Sequence, residues 1–220
     1  FDEKAVKAFT MQYYNNDMYP ELYTFKYPKT GEKNALTSAH IYSLKANKIA
    51  KVKTKNYEYI PRIKWTQNPN ELCVFTMNRL QNNLDLLLAD ATTGSTKLLM
   101  NEKNQYYIDI HDNLNFLKDG KHFIWTSEQS GFNHIYLYKM DGTLEKQLTS
   151  GDFDVTNMYG INEDKEAVFY QAAKESAMQR ELYCVSLEGG KSKKISKEAG
   201  TNSARFSSTL DYFIHTFSTI

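Results

Sequence analysis

The chain has 220 residues, with 27 Lys and Arg against 26 Asp and Glu and a formal net charge of +1. Charges of both signs are spread without blocks, so no long-range field gathers nucleic acid or an anionic membrane, and no apolar run approaches the roughly 20 residues of a membrane span. Hydrophobic residues make up 41%, enough for a core, and the 16 Tyr and 12 Phe suit half-buried strand faces.

Residues 1 to 50 are the least repetitive part and read as an irregular blade preceding the rest. Phe1-Asp2-Glu3-Lys4 is neither basic nor followed by an apolar stretch, so it does not read as a signal peptide, and the missing initiator Met suggests excision from something longer. FTMQYYNND, from Phe9, alternates like a strand. Pro20 and Pro28 flank YTFKY, which fits an edge strand or a connection, because proline cannot donate to a central ladder. A turn at Gly31 to Asn34 then precedes a strand in AHIYSLK. Lys45 to Lys55 resembles a cationic patch but reads better as a solvated turn and edge strand, whose lysines discourage edge-to-edge pairing.

From Trp65 onward the chain repeats. Anchors at Trp65, Phe116, Ile161 and Phe206 are separated by 51, 45 and 45 positions. Each complete copy has an alternating strand after the anchor, then a second strand (NLDLLLAD, HIYLYKMD, RELYCVSL), a Gly-containing turn (Thr93-Gly94, Asp141-Gly142, Gly189-Gly190) and a closing strand (STKLLM, TLEKQLT, KSKKIS). The copy from Phe116 to Thr149 is the clearest, since Asp119-Gly120 and Asp141-Gly142 sit between alternating apolar runs, the strongest short-range hairpin signal. A period in the forties with four short strands per unit predicts an all-β fold of β-propeller blades, each a four-stranded antiparallel meander. The competing reading is a β-sandwich with accidental periodicity. Cys73 and Cys184 fall on different repeats, which predicts buried free thiols rather than a disulfide.

Little in the chain carries chemistry of its own. Of the five histidines, His40, His122, His134 and His215 lie in strand patterns, and none has metal-ligand spacing, so no metal is expected. Glu163 to Glu166 and Asp152 to Asp154 lack the spacing and glycine of an EF-hand loop, and no glycine cluster opens a phosphate-cradling helix. No cofactor is expected. His111 stands apart, in YYIDIHDNLN. Asp109, His111 and Asp112 resemble part of a triad on paper, but no serine is aimed at them. The segment reads either as a blade-linking strand whose Asp112 and Asn113 cap a turn or as a loop facing substrate.

MYPELYTFKYPKTGEKNALTSAHIY, from Met18, and FLKDGKHFIWTSEQSGFNHIYLY, from Phe116, resemble the N-terminal propeller region of the dipeptidyl-peptidase IV family of serine exopeptidases, in its bacterial branch. The resemblance covers nearly the whole chain and departs at Lys7 and Ala35, where the family tends to have proline. It implies that residues 1–220 form about half or more of an eight-bladed propeller capping an α/β-hydrolase domain of the same polypeptide. The parent would release N-terminal dipeptides, or in one branch tripeptides, from peptide substrates with proline near the amino terminus. No Gly-x-Ser-x-Gly elbow occurs among the ten glycines, so no catalytic residue is assigned to this chain. The adjacent glutamates that hold the substrate's amino group are also absent, and by resemblance lie upstream of Phe1. What remains is a chain that gates access and forms a wall of the substrate cavity, with Tyr107, Asp109 and His111 as candidate substrate contacts. The resemblance further implies a periplasmic or exported protein, with a homodimer among its assembly states. The alternative function is a free-standing interaction or scaffold propeller without a peptidase.

Overall fold

The computed structural model of the chain describes residues 1–55 and 57–219. Eighteen strands lie among the described residues, in two compact units.

The first unit holds residues 1–65 and 69–108. Its strands are β1 (Ala8–Tyr13), β2 (Glu21–Lys26), β3 (His40–Ser43), β4 (Lys48–Lys51), β5 (Ile63–Trp65), β6 (Glu71–Met77), β7 (Asn83–Asp90) and β8 (Thr96–Lys103). Strands β5 to β8 form one antiparallel meander in sequence order, while β1-β2 and β3-β4 are separate two-stranded sheets. Leu72 to Met77 on β6 are all buried, as expected of a central strand covered on both faces. One of those faces carries Leu72 and Val74, which join Ala89, Ile41 and Val52 in a shared cluster, so the β3-β4 pair closes over the meander. The turn between β7 and β8 seals the contact. Gly94 donates its N–H to Asp90 and accepts from the Lys53 amide at 2.8 Å. Its φ is +68°, and a Cβ there would stand 1.9 Å from the Lys51 carbonyl oxygen, so only glycine fits.

The second unit holds residues 66–68 and the chain from Asp109. Strands β9 (Asn115–Phe116), β10 (His122–Ser127), β11 (His134–Lys139) and β12 (Leu144–Gln147) form one meander; β13 (Val155–Asn162), β14 (Ala167–Ala172), β15 (Glu181–Ser186) and β16 (Lys193–Lys194) form the next. The pair β17 (Thr201–Phe206) and β18 (Phe213–Ser218) follows. Ile124, Ile135 and Leu137 of one meander share a buried cluster with Val168, Tyr170, Tyr183 and Val185 of the next. At roughly 2 kcal/mol for each fully buried aliphatic side chain, this apolar seam outweighs any surface ion pair in the unit. The strands recovered from the sequence coincide with the observed ones, HFIWTS with β10 and NLDLLLAD with β7. Each anchor falls at or beside the end of its meander's first strand. Phe116 is buried, and Phe206 packs on Tyr159 and Phe169 with ring centroids 5.3 and 5.0 Å apart. Trp65 is the exception, 51% exposed at the end of β5.

The turn after each anchor in the second unit places one residue in the left-handed region: Gly120, Glu166 and Leu210, at φ +64°, +49° and +59°. A leucine rarely adopts that conformation. Here it is held because its side chain fills the space over Gly160 of β13, whose missing Cβ would lie 3.1 Å from Leu210 Cδ1. Both thiols are free; Cys73 is buried and Cys184 half-buried. Burial pushes the Cys73 thiol up to about 12, so it packs rather than reacts.

Hairpin turns are fixed by aspartates. Asp90 accepts from the amides of Thr92 and Thr93, Asp119 from those of Lys121 and His122, and Asp141 from that of Thr143. The Thr93 hydroxyl and amide hold the Asp90 carboxyl below its usual range, and the Thr143 amide does the same for Asp141. At Asp119 burial opposes ionisation, but the His122 ring and the two amides outweigh it, and that carboxyl is lowered too.

Gly94→Ala should therefore destabilise the protein by about 2 to 4 kcal/mol in chemical denaturation. Gly189→Ala, at φ +81° with nothing within 4 Å, should cost only the backbone strain, about 1 kcal/mol and less than Gly94→Ala. Equal losses would contradict the close-approach argument. A second expectation concerns acid. With the three turn carboxyls lowered in the folded chain, the unfolded chain binds more protons, so their contribution is complete above about pH 4 and is lost as pH falls through the lowered values. Replacing Asp90, Asp119 and Asp141 together with Asn keeps an acceptor in each turn and should flatten the acid limb of stability against pH; an unchanged limb would count against their role.

Candidate functional site

The segment from Asn104 to Leu114 contains all three candidate contacts, and it forms no strand. Of the two readings of YYIDIHDNLN, the blade-linking strand is thereby corrected to a loop. Its backbone bonds go to loops and side chains instead of a ladder. In the first unit, the Asn104 amide donates to Asn82 O at 3.1 Å and the Ile108 amide to Gln81 O at 2.9 Å. The segment is thereby laid along the β6-β7 loop. Tyr107 lies between these ties with its side chain outward, 48% exposed. The loop beneath is itself fixed: Asn78 Oδ1 accepts from the Asn82 and Asn83 amides, and Gln81 is left-handed at φ +56°.

Asp109 and His111 open the second unit. Asp109 is exposed. His111 is turned inward, its ring centroid 4.2 Å from that of Trp125. The Asn113 amide donates to Nδ1 at 3.2 Å, which leaves the proton on Nε2, and Nε2 donates to Thr126 O at 2.8 Å. Asn113 Nδ2 completes the arrangement by donating to Thr126 Oγ1 at 3.0 Å. Both ring nitrogens are thus engaged with β10 and its approach. The sequence motif of Asp109, His111 and Asp112 presents no free imidazole nitrogen for proton transfer, and His111 acts as a strut that sets the course of the segment carrying Asp109.

The remaining histidines bond close to their own strands: His40 Nε2 meets Ser38 Oγ at 3.0 Å. His134 meets Thr149 Oγ1 at 3.1 Å and Gly151 O at 2.9 Å, His215 meets Asn202 Oδ1 at 2.7 Å, and His122 lies between Asp119 Oδ2 at 2.5 Å and Glu145 Oε2 at 2.8 Å. Glu163 accepts the Lys118 amide at 2.8 Å and so joins two turns.

Sequence reading missed a polar cluster in the first unit. Glu58 Oε1 receives Asn34 Nδ2 at 2.7 Å and Arg79 Nη1 at 3.0 Å, while Arg79 Nη2 reaches Glu32 O at 2.5 Å. Asn34 and Glu58 also line a cavity of about 580 Å³ together with Asp2, Lys51 and Tyr57. The partners are 21 to 47 positions apart in the chain, and no local pattern announces them.

The family model of the dipeptidyl peptidase IV (DPP IV) N-terminal region matches residues 1–220. The chain belongs to this family. Among solved structures, dipeptidyl peptidase 4 of Porphyromonas gingivalis is 39% identical and superimposes with a TM-score of 0.88 over 97% of this chain and 31% of that one. A Bacteroides ovatus chain, 23% identical with a TM-score of 0.85, shares the fold over 99% of this chain and 34% of its own length. The dipeptidyl peptidases 4 of Trichophyton equinum and Trichophyton rubrum are each 24% identical over 97% of this chain. The chain spans 30% of the length of these two curated relatives. The four-stranded meanders of this DPP IV N-terminal region are β-propeller blades.

His111→Ala should loosen the second unit by about 2 kcal/mol, because it strands the Asn113 amide and opens a gap against Trp125. Hydrogen exchange should quicken at residues 113–117; exchange equal to that of the parent would remove the strut role.

Proposed function

We propose that this chain is the propeller portion of a DPP IV-like serine exopeptidase that releases N-terminal dipeptides after proline. The observation that carries the reading is the likeness to Porphyromonas gingivalis dipeptidyl peptidase 4, 39% identical across 97% of this chain while leaving 69% of the relative's length unmatched. The unmatched part has room for an α/β-hydrolase domain, in which a nucleophilic serine would sit with its histidine and aspartate partners. This chain holds no Gly-x-Ser-x-Gly, and its role is to gate entry and build one wall of the substrate cavity.

Blades suit that role physically. A wall must hold its contour while substrates come and go, and sheets buried on both faces do so better than mobile loops. On this reading Tyr107 and Asp109 contact the peptide beyond the residues nearest the scissile bond, with an aromatic face and a carboxylate. His111 supports Asp109 by fixing its stretch of chain against Trp125 and Thr126. The parent protein is exported or periplasmic, and it assembles as a homodimer.

The parent protein should hydrolyse a Gly-Pro chromogenic amide, with loss of activity after treatment by a serine-directed inhibitor, and this chain alone should not. Preference for an Ala-Ala-Pro amide would move the reading to tripeptide release, and silence from a folded parent would end it in favour of an interaction propeller. In the active parent, Tyr107→Ala should lower kcat/KM for long peptides several-fold more than for dipeptidyl amides, since only long peptides reach that part of the wall. Equal losses on both substrates would rule out the contact.

A further inference from the structure

Strands β1 and β2 stand out from the first unit as an arm. They pair over six positions and pack chiefly against each other. The arm is strongly apolar yet exposed, with Met18 at 87% and Tyr19 at 81% near its tip and Leu22, Tyr13 and Tyr14 open beside them. Its two legs hold one another: Asp2 and Leu36 exchange backbone bonds of 2.8 Å, the Tyr27 amide donates to Lys7 O at 3.0 Å, and Lys7 Nζ meets Glu32 Oε1 at 2.5 Å. Bonds between the legs keep the arm intact but do not fix its direction. An attachment away from the legs is needed for that.

We infer that the Arg79 guanidinium is a latch that fixes the direction of the β1-β2 arm against the β5-β8 blade. Both sides of the latch are visible. On the blade side, the Glu58 and Tyr59 amides donate to Met77 O at 2.9 and 3.0 Å, and the Met77 amide donates back to Tyr59 O, so Glu58 is carried on the buried strand β6. Arg79 follows Met77 by two residues, at the start of the loop closed by Asn78. On the arm side, the Glu32 carbonyl accepts and the Asn34 amide group donates, both on the leg that descends from β2. The guanidinium bonds to Glu58 through Nη1 and to Glu32 O through Nη2, joining blade and leg with one planar group. Asn34 Nδ2 adds a second tie, to Glu58 Oε1 and, at 3.0 Å, to Tyr59 OH. Lysine could not reproduce the fork, because its single ammonium nitrogen lacks two donors held apart in a plane.

The latch gives the arm a defined reach without burying it. A hairpin with this much exposed apolar surface would otherwise swing and present that surface in many directions. The tie is a partly exposed ion pair, with side-chain exposures of 42% and 29% for Arg79 and Glu58, so ionic strength acts on it directly.

The test is hydrogen exchange by mass spectrometry on the full-length parent. In Arg79→Ala, exchange in residues 27–36 should quicken about tenfold, the opening expected when a charged hydrogen bond is removed, while residues 71–77 of β6 stay at the parent rate. Arg79→Lys should fall between. Glu58→Gln, which keeps an acceptor for Asn34 but removes the charge, should give a smaller increase in the same peptide, and it decides the matter if Arg79→Ala does not fold. Unchanged exchange at 27–36, or an equal rise at 71–77, would overturn the latch.

Discussion

Ile124, Ile135 and Leu137 on one blade share a buried cluster with Val168, Tyr170 and Val185 on the next, and the second unit depends on this apolar seam as the first does on the cluster of Leu72, Val74 and Ile41. A four-stranded meander has two faces, and a lone one would leave half its hydrophobic side chains in water. Stacking therefore sets the rules. It explains why the central strands read as continuous apolar runs instead of clean alternations, and why β6, β10 and β11 are buried almost throughout. It also explains why the polar side chains that matter gather at turns and strand ends, where backbone groups leave the ladder and need partners.

Much of this fold was legible in the sequence because its signals are local. Asp-Gly turns, anchors about 45 positions apart and apolar strands between them fix both the number of meanders and their order. Where local pattern fell short at Leu210 and at YYIDIHDNLN, long-range contacts decided the outcome. Nothing around Leu210 suggests a left-handed turn; the space above Gly160, 50 positions earlier, makes it tolerable. The pattern of YYIDIHDNLN suggests a strand, yet the carbonyls of Gln81 and Asn82 capture its first half and the His111 contacts bend its second. Trp65 matches the other anchors in sequence but not in burial.

The site was less legible than the fold. Tyr107 and Asp109 entered through a family resemblance and an unusual local composition, and their exposure is compatible with a contact surface. His111 drew notice as a possible chemical group, and its neighbours instead make it a fixed-tautomer strut. Arg79, Glu58, Glu32 and Asn34 could not have been grouped beforehand. Ordinary charged and amide residues scattered over 48 positions become a unit only when the arm's leg and the β6-β7 loop are brought side by side.

Leu210 seated over Gly160 has a consequence for how such a protein can change. Blades resemble one another closely enough to look like interchangeable parts, and a duplication could in principle add or shuffle them. The bulge of one turn, however, fits a hollow in β13 of the preceding blade, and the corresponding turns carry Gly120 and Glu166, which have different shapes. That last turn is thereby addressed to the blade of β13 to β16. Moved to another place in the series, that turn would set its leucine against a strand without the matching glycine.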